Sequence, residues 1–198
     1  ASALADAKAR FRALLLAKLQ QSDLVSNEDT GLYSKTAPAA LGAVNGFCSH
    51  SWQDDGAAKF KQLLAWGEEA KRDEGIDSPL LWLDKACIKQ DQSPEEKQAD
   101  INALPVFLSG CRSLIVLAGP TYASRLWCVV ELFVFLRMGG EKERIRVLEL
   151  GGVDVRVALN RFDANDAKCF LKEDEERLLA IIESGFGDVV PFNACVRT

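Results

Sequence analysis

The segment Ser124-Arg125-Leu126-Trp127-Cys128-Val129-Val130-Glu131, continuing to Met138, constrains the fold more than any other. It has the length of a helix, is apolar nearly all round, and is followed by Gly139-Gly140 where a left-handed cap is expected. Such a helix must be largely buried. At 198 residues, 48% of them hydrophobic and 27% charged, the chain is long enough to supply that packing.

The surroundings are legible as an alternation. Short apolar runs at residues 43–48, 80–83, 113–118 and 144–150 alternate with helical patterns at 54–71, 93–108, 124–138 and 173–182, the sign of βαβ units and a mainly parallel sheet. The run at 113–118 is apolar on both faces and so central. A short fifth strand is expected within 161–169, giving an α/β fold with a five-stranded sheet. Ser93-Pro94 reads as a cap and first helical residue, and Pro105 predicts a kink or an early end.

Leu4, Phe11, Leu14, Leu15 and Leu19 recur at helical spacing and predict an N-terminal amphipathic helix. Residues 22–40 read as a linker. The expected division is therefore residues 1–40, helix and linker, and 41–198, the α/β domain. The chain begins with Ala rather than Met, so a piece of a larger protein is expected, with other domains as partners.

A formal net charge of -5 argues against duplex nucleic acid or anionic membrane as a partner. No stretch is long and apolar enough to span a bilayer and no leader is evident, so a cytoplasmic location is expected. Six scattered cysteines without a CxxC pair, and the single histidine His50, predict reduced, mostly buried thiols and no metal site.

Open parallel sheets bind ligands beyond the carboxyl ends of their strands, where strand order reverses. That places Ser49-His50-Ser51-Trp52-Gln53-Asp54-Asp55 and Gly119-Pro120-Thr121-Tyr122-Ala123-Ser124 beside any ligand. Walker and GxGxxG loops are absent, and the third strand lacks the phosphorylatable Asp of receiver domains. Ser124, Trp127, Cys128 and Glu131 share a helix face. Glu131 is the anomaly there, because an unpaired buried carboxylate costs several kcal/mol. An ion pair with Arg125 or an exposed helix edge explains it blandly, and a functional acid explains it otherwise.

Tyr122-Ala123-Ser124-Arg125-Leu126-Trp127-Cys128-Val129-Val130-Glu131-Leu132, directly after Leu114-Ile115-Val116-Leu117, resembles the third-strand and helix motif of TIR domains, especially the plant type. Phe47-Cys48-Ser49-His50-Ser51 resembles the opening box of that family. Leu81-Trp82-Leu83-Asp84-Lys85-Ala86-Cys87-Ile88-Lys89-Gln90-Asp91 resembles the corresponding motif of fungal heterokaryon-incompatibility domains, which are TIR-like. The plant Arg-Gly-Asp stretch is replaced here by residues 50–55.

The resemblance implies a flavodoxin-like three-layer fold that self-associates through TIR–TIR contacts and, in many members, cleaves nicotinamide from NAD in signalling or defence. It aligns Glu131 with the catalytic glutamate of those members, with NAD as substrate and no separate cofactor. Ser49, His50, Ser51, Trp52, Ser124 and Trp127 are the candidate NAD contacts. Ser124 reads equally as a helix cap, Trp127 more readily as core, Cys128 as packing, and Asp84-Lys85 as a solvated ion pair. An NAD glycohydrolase and a non-catalytic TIR-like interaction module are the two competing readings.

Overall fold

The computed structural model describes residues 3–197. In chain order it contains helix α1 (Ala3–Arg10), strand β1 (Arg12–Leu15), helix α2 (Gln21–Val25) and strands β2 (Ala37–Pro38) and β3 (Val44–His50). Helix α3 (Gly56–Glu74), strand β4 (Leu80–Leu83), helices α4 (Asp84–Cys87) and α5 (Pro94–Ser109) and strand β5 (Cys111–Ala118) follow. Helix α6 (Leu126–Arg137), strand β6 (Ile145–Glu149) and helices α7 (Val155–Asn160), α8 (Lys172–Phe186) and α9 (Val189–Val196) complete it.

The strands form one mixed, mostly parallel six-stranded sheet in the order β2-β1-β4-β3-β5-β6. β3 pairs in parallel with β4 on one side, Phe47 opposite Trp82, and with β5 on the other, Ser49 opposite Val116. Strand order reverses at β3. The step from β3 to β4 runs one way and the steps to β5 and β6 the other, so right-handed crossovers put α3 on one face and α5 and α6 on the opposite one. In agreement, α2 packs on α3, while α1 and α6 pack on α5.

Six strands replace the five expected, for two reasons. Residues 11–15 do not continue an N-terminal helix: β1 pairs antiparallel with β4, Leu14 opposite Leu81, and with β2. The unpaired backbone edge of β4 needs partners, and this demand overrides a local helical pattern. Phe11 and Leu14 are completely buried in the same core as Phe47 and Leu114, so residues 3–40 share the core of the rest of the chain. Conversely, residues 161–169 form no named strand. Asp163 Oδ1 accepts from Asn165 N and from Asn193 Nδ2, both at 3.0 Å, which closes a turn where a strand needs extended backbone. Only an isolated bridge, Arg125 to Lys168, remains there.

The apolar helix α6 is buried from two sides. Cys128 and Phe135 face the sheet core, while Leu126 and Val129 face a second core built with Phe162, Leu178, Ile182 and Phe192 from the C-terminal segment. Gly139 adopts φ 86° after the last turn, the left-handed conformation expected of it. Ser93 accepts from Glu96 N with Pro94 behind it, and α5 runs through Pro105 to Ser109 without ending. Among the described residues, no single helix is long and apolar enough to cross a membrane.

Candidate functional site at the carboxyl ends of the central strands

β3 extends two residues beyond the expected 43–48, so Ser49 and His50 are strand residues rather than loop residues. Successive side chains of a strand alternate between faces. Ser49 points to the face of α6 and is completely buried, while His50 belongs to the α3 face. One strand end thus feeds two polar clusters.

The first cluster centres on Glu131. Its Oε2 lies 2.6 Å from Ser49 Oγ, which lies 2.9 Å from Tyr122 Oη, which in turn lies 3.2 Å from the Cys128 carbonyl oxygen one turn earlier in α6. Glu131 joins no ion pair among the described residues, so the pairing with Arg125 does not form. Oε1 takes no partner among the described residues and is not sealed from solvent. Burial pushes the Glu131 carboxyl up to about 8, with the negative charge of Asp84 adding to it and hydrogen bonding from Ser49 opposing it. Burial likewise raises the Tyr122 hydroxyl and the Cys128 thiol well above their ordinary values.

The second cluster centres on Asp84, at the carboxyl end of β4. Asp84 Oδ1 lies 3.0 Å from His50 Nε2 and accepts from the Lys85 amide at 2.7 Å; Oδ2 accepts from Trp52 Nε1, also at 2.7 Å. Burial would raise the Asp84 carboxyl, but His50 and these donors together hold it below the usual carboxylate range. The solvated Asp84–Lys85 ion pair is not formed. Lys85 is buried, donates from Nζ to the Ser26 carbonyl, and lies 5.6 Å over the Trp52 ring. Trp52, half-buried, is thereby held between Lys85 and a stacked His50 at 6.3 Å.

A third set ties the two loops beside these clusters. Thr121 donates from N (3.0 Å) and Oγ1 (2.8 Å) to Asp54 Oδ1, and Thr121 Oγ1 lies 2.7 Å from Ser51 Oγ. Lys59, only 1% exposed, donates from Nζ to the Ser51 carbonyl at 2.6 Å. Burial lowers the Lys59 ammonium, with Asp54 pulling the other way. The loops after β3 and β5 therefore form one cross-linked rim.

Of the expected site residues, the fold brings Glu131, Ser49, His50, Ser51 and Trp52 into these three clusters. Ser124 is exposed and caps nothing. Its Oγ donates to the Thr121 carbonyl at 2.8 Å, and α6 begins at Leu126 with Arg125, which offers no side-chain bond, before it. Trp127 packs between the two cores, as the core reading holds. Sequence reasoning placed Asp54, Thr121 and Tyr122 in the two loops beside a ligand without giving them a role, read Asp84 as solvated, and missed Lys59. Lys59 did leave a local trace: it shares helical spacing with Leu63, Trp66 and Ala70, the buried face of α3.

Two surface hollows, one beside Phe135 and Arg144 and one beside Trp66 and Arg146, do not include Glu131. Among the described residues no group of three His, Cys, Asp or Glu side chains converges as a metal site. No family model, curated protein or solved structure matches the chain.

Proposed function

We propose that this chain is a TIR-like domain that hydrolyses NAD to nicotinamide and ADP-ribose, or to a cyclic form, and is switched on by self-association. The observation that carries the reading is Glu131, a carboxyl group at the strand-order switch point with one oxygen anchored, the other open and no basic partner among the described residues. The parallel strands, taken as β4-β3-β5-β6, follow the flavodoxin-like order, which supports the same reading.

The chemistry asks little of the protein. The C1′–N bond breaks, its electron pair goes to the pyridinium nitrogen, and neutral nicotinamide leaves an oxocarbenium-like ribose. Water then adds at C1′ and loses a proton. Ionised Glu131 faces that developing positive charge in a weakly solvated setting, where a carboxylate is most effective. The cationic ring of NAD itself favours ionisation of Glu131. The reading assigns Trp52 and His50, at the end of the same strand, to the wall of the site, with Ser49 behind the carboxyl group rather than against substrate.

A non-catalytic interaction module is the second reading. It is favoured by exposed apolar residues of the C-terminal segment, Phe170 at 88% and Val190 at 65%. Incubation of concentrated protein with NAD, alone and tethered on vesicles to force association, separates the two by the nicotinamide released. Release that is lost in Glu131→Ala is the expected result. Absence of release in every format would leave the interaction module.

A further inference from the structure

The hydroxyl chain beside Glu131 can be counted in protons. Three short contacts run in series: Glu131 to Ser49, Ser49 to Tyr122, and Tyr122 to the Cys128 carbonyl. A serine or tyrosine hydroxyl carries one proton, and a carbonyl or carboxylate oxygen carries none. If Glu131 is ionised, two protons serve three contacts. Ser49 must then donate to the carboxylate, and Tyr122 can fill only one of its two contacts, leaving a pair of oxygens facing each other without a proton. If Glu131 is neutral, three protons serve three contacts and every bond is made in one direction.

From this geometry we infer that Glu131 rests as a neutral acid, its proton donated to Ser49, with Ser49 donating to Tyr122 and Tyr122 to the Cys128 carbonyl. Ser49 and Tyr122 are positioning residues in this scheme. They hold Oε2 fixed and leave Oε1 open, and they make ionisation cost a hydrogen bond as well as desolvation. The groups around the carboxyl group agree. From β3 it meets Cys48 and Ser49, with His50 engaged by Asp84; from the end of β4 the negative Asp84; from the turn before α6 Tyr122; and from its own helix Cys128. None of these supplies a positive charge at contact distance, and the elevated titration of Glu131 accords with the count.

This inference goes beyond the glycohydrolase reading and does not need it. If NAD is also the substrate, its pyridinium charge competes with the stored proton, so binding at pH 7 releases that proton to solvent.

Infrared difference spectroscopy of the whole chain across pH tests the inference directly. The expected result at pH 7 is the carbonyl stretch of a neutral carboxyl group, absent in Glu131→Gln and lost in the wild type as pH rises through about 8. Tyr122→Phe keeps the ring but costs the neutral chain two bonds and the ionised chain one, so its midpoint falls, by roughly half to one pH unit for one net hydrogen bond. A midpoint lowered by removing a hydroxyl that touches Ser49 and not Glu131 is what a relay produces and a merely structural role does not. Absence of a Glu131 carboxyl band at pH 7, or an unchanged or raised midpoint in Tyr122→Phe, overturns it. Failure of nicotinamide release would refute the glycohydrolase and leave the infrared result standing.

Discussion

Glu131→Gln is expected to stabilise the protein at neutral pH, by an amount set by the gap between the ordinary carboxyl value of 4.5 and about 8 in the folded state. Below the lower value both states are protonated and Glu131 brings no penalty. As pH rises the unfolded chain ionises while the folded protein does not, so stability falls until pH passes the folded value. Each pH unit in that window costs about 1.4 kcal/mol, giving a penalty of about 3 kcal/mol at pH 7 and under about 1 kcal/mol at pH 5. Glutamine cannot ionise, and its amide donates to Ser49 as the neutral acid does, so the variant escapes the penalty without losing the bond. Urea unfolding of both proteins at pH 5 and pH 7, followed by tryptophan fluorescence, measures the difference. In a thermal melt the gain at pH 7 amounts to roughly 6–12 °C, at roughly 2–4 °C per kcal/mol for a chain of this size. An equal gain at the two pH values, or a less stable variant at pH 7, would refute the reasoning. A stability gain accompanied by loss of activity is the trade expected of a functional acid.

Two glycine substitutions test how the rim is held. A Cβ on Gly119 would sit 2.2 Å from Asp54 Oδ2 and 2.8 Å from its Cβ, so Gly119→Ala must push Asp54 off Thr121. A loss of roughly 1–3 kcal/mol in thermal unfolding is expected, together with faster exchange of the Thr121 amide. A Cβ on Gly56 would meet backbone, 2.2 Å from Leu24 O and 2.6 Å from Val25 N. Gly56→Ala should therefore displace α2 and cost a similar roughly 1–3 kcal/mol, with amide exchange rising across residues 21–26 before the sheet responds.

Periodicity and local end signals made most of the scaffold legible in advance. The four parallel strands, the cap at Ser93-Pro94, the start of α3 at Asp55 and the stop at Gly139 depend on neighbours a few residues away, and each is found. The demand that α6 be largely buried followed from its composition alone, and the sheet and the C-terminal helices cover it from two sides. Helix α9 was missed because it is short and lies directly behind α8.

The remainder was decided by pairings between distant segments. Residues 12–15 have a helical pattern, yet they become a strand because β4 presents an open edge beside them. Glu131 could be singled out on its helix, but its environment comes from Ser49, 82 residues earlier, and the Asp84 cluster depends on His50, 34 residues before it. Sequence by itself determined that an acid sits on a helix that must be mostly buried. Only the tertiary structure decided that it meets a buried hydroxyl chain and no base, because hydrogen-bond partners and desolvation belong to the packed fold and leave no period in the chain.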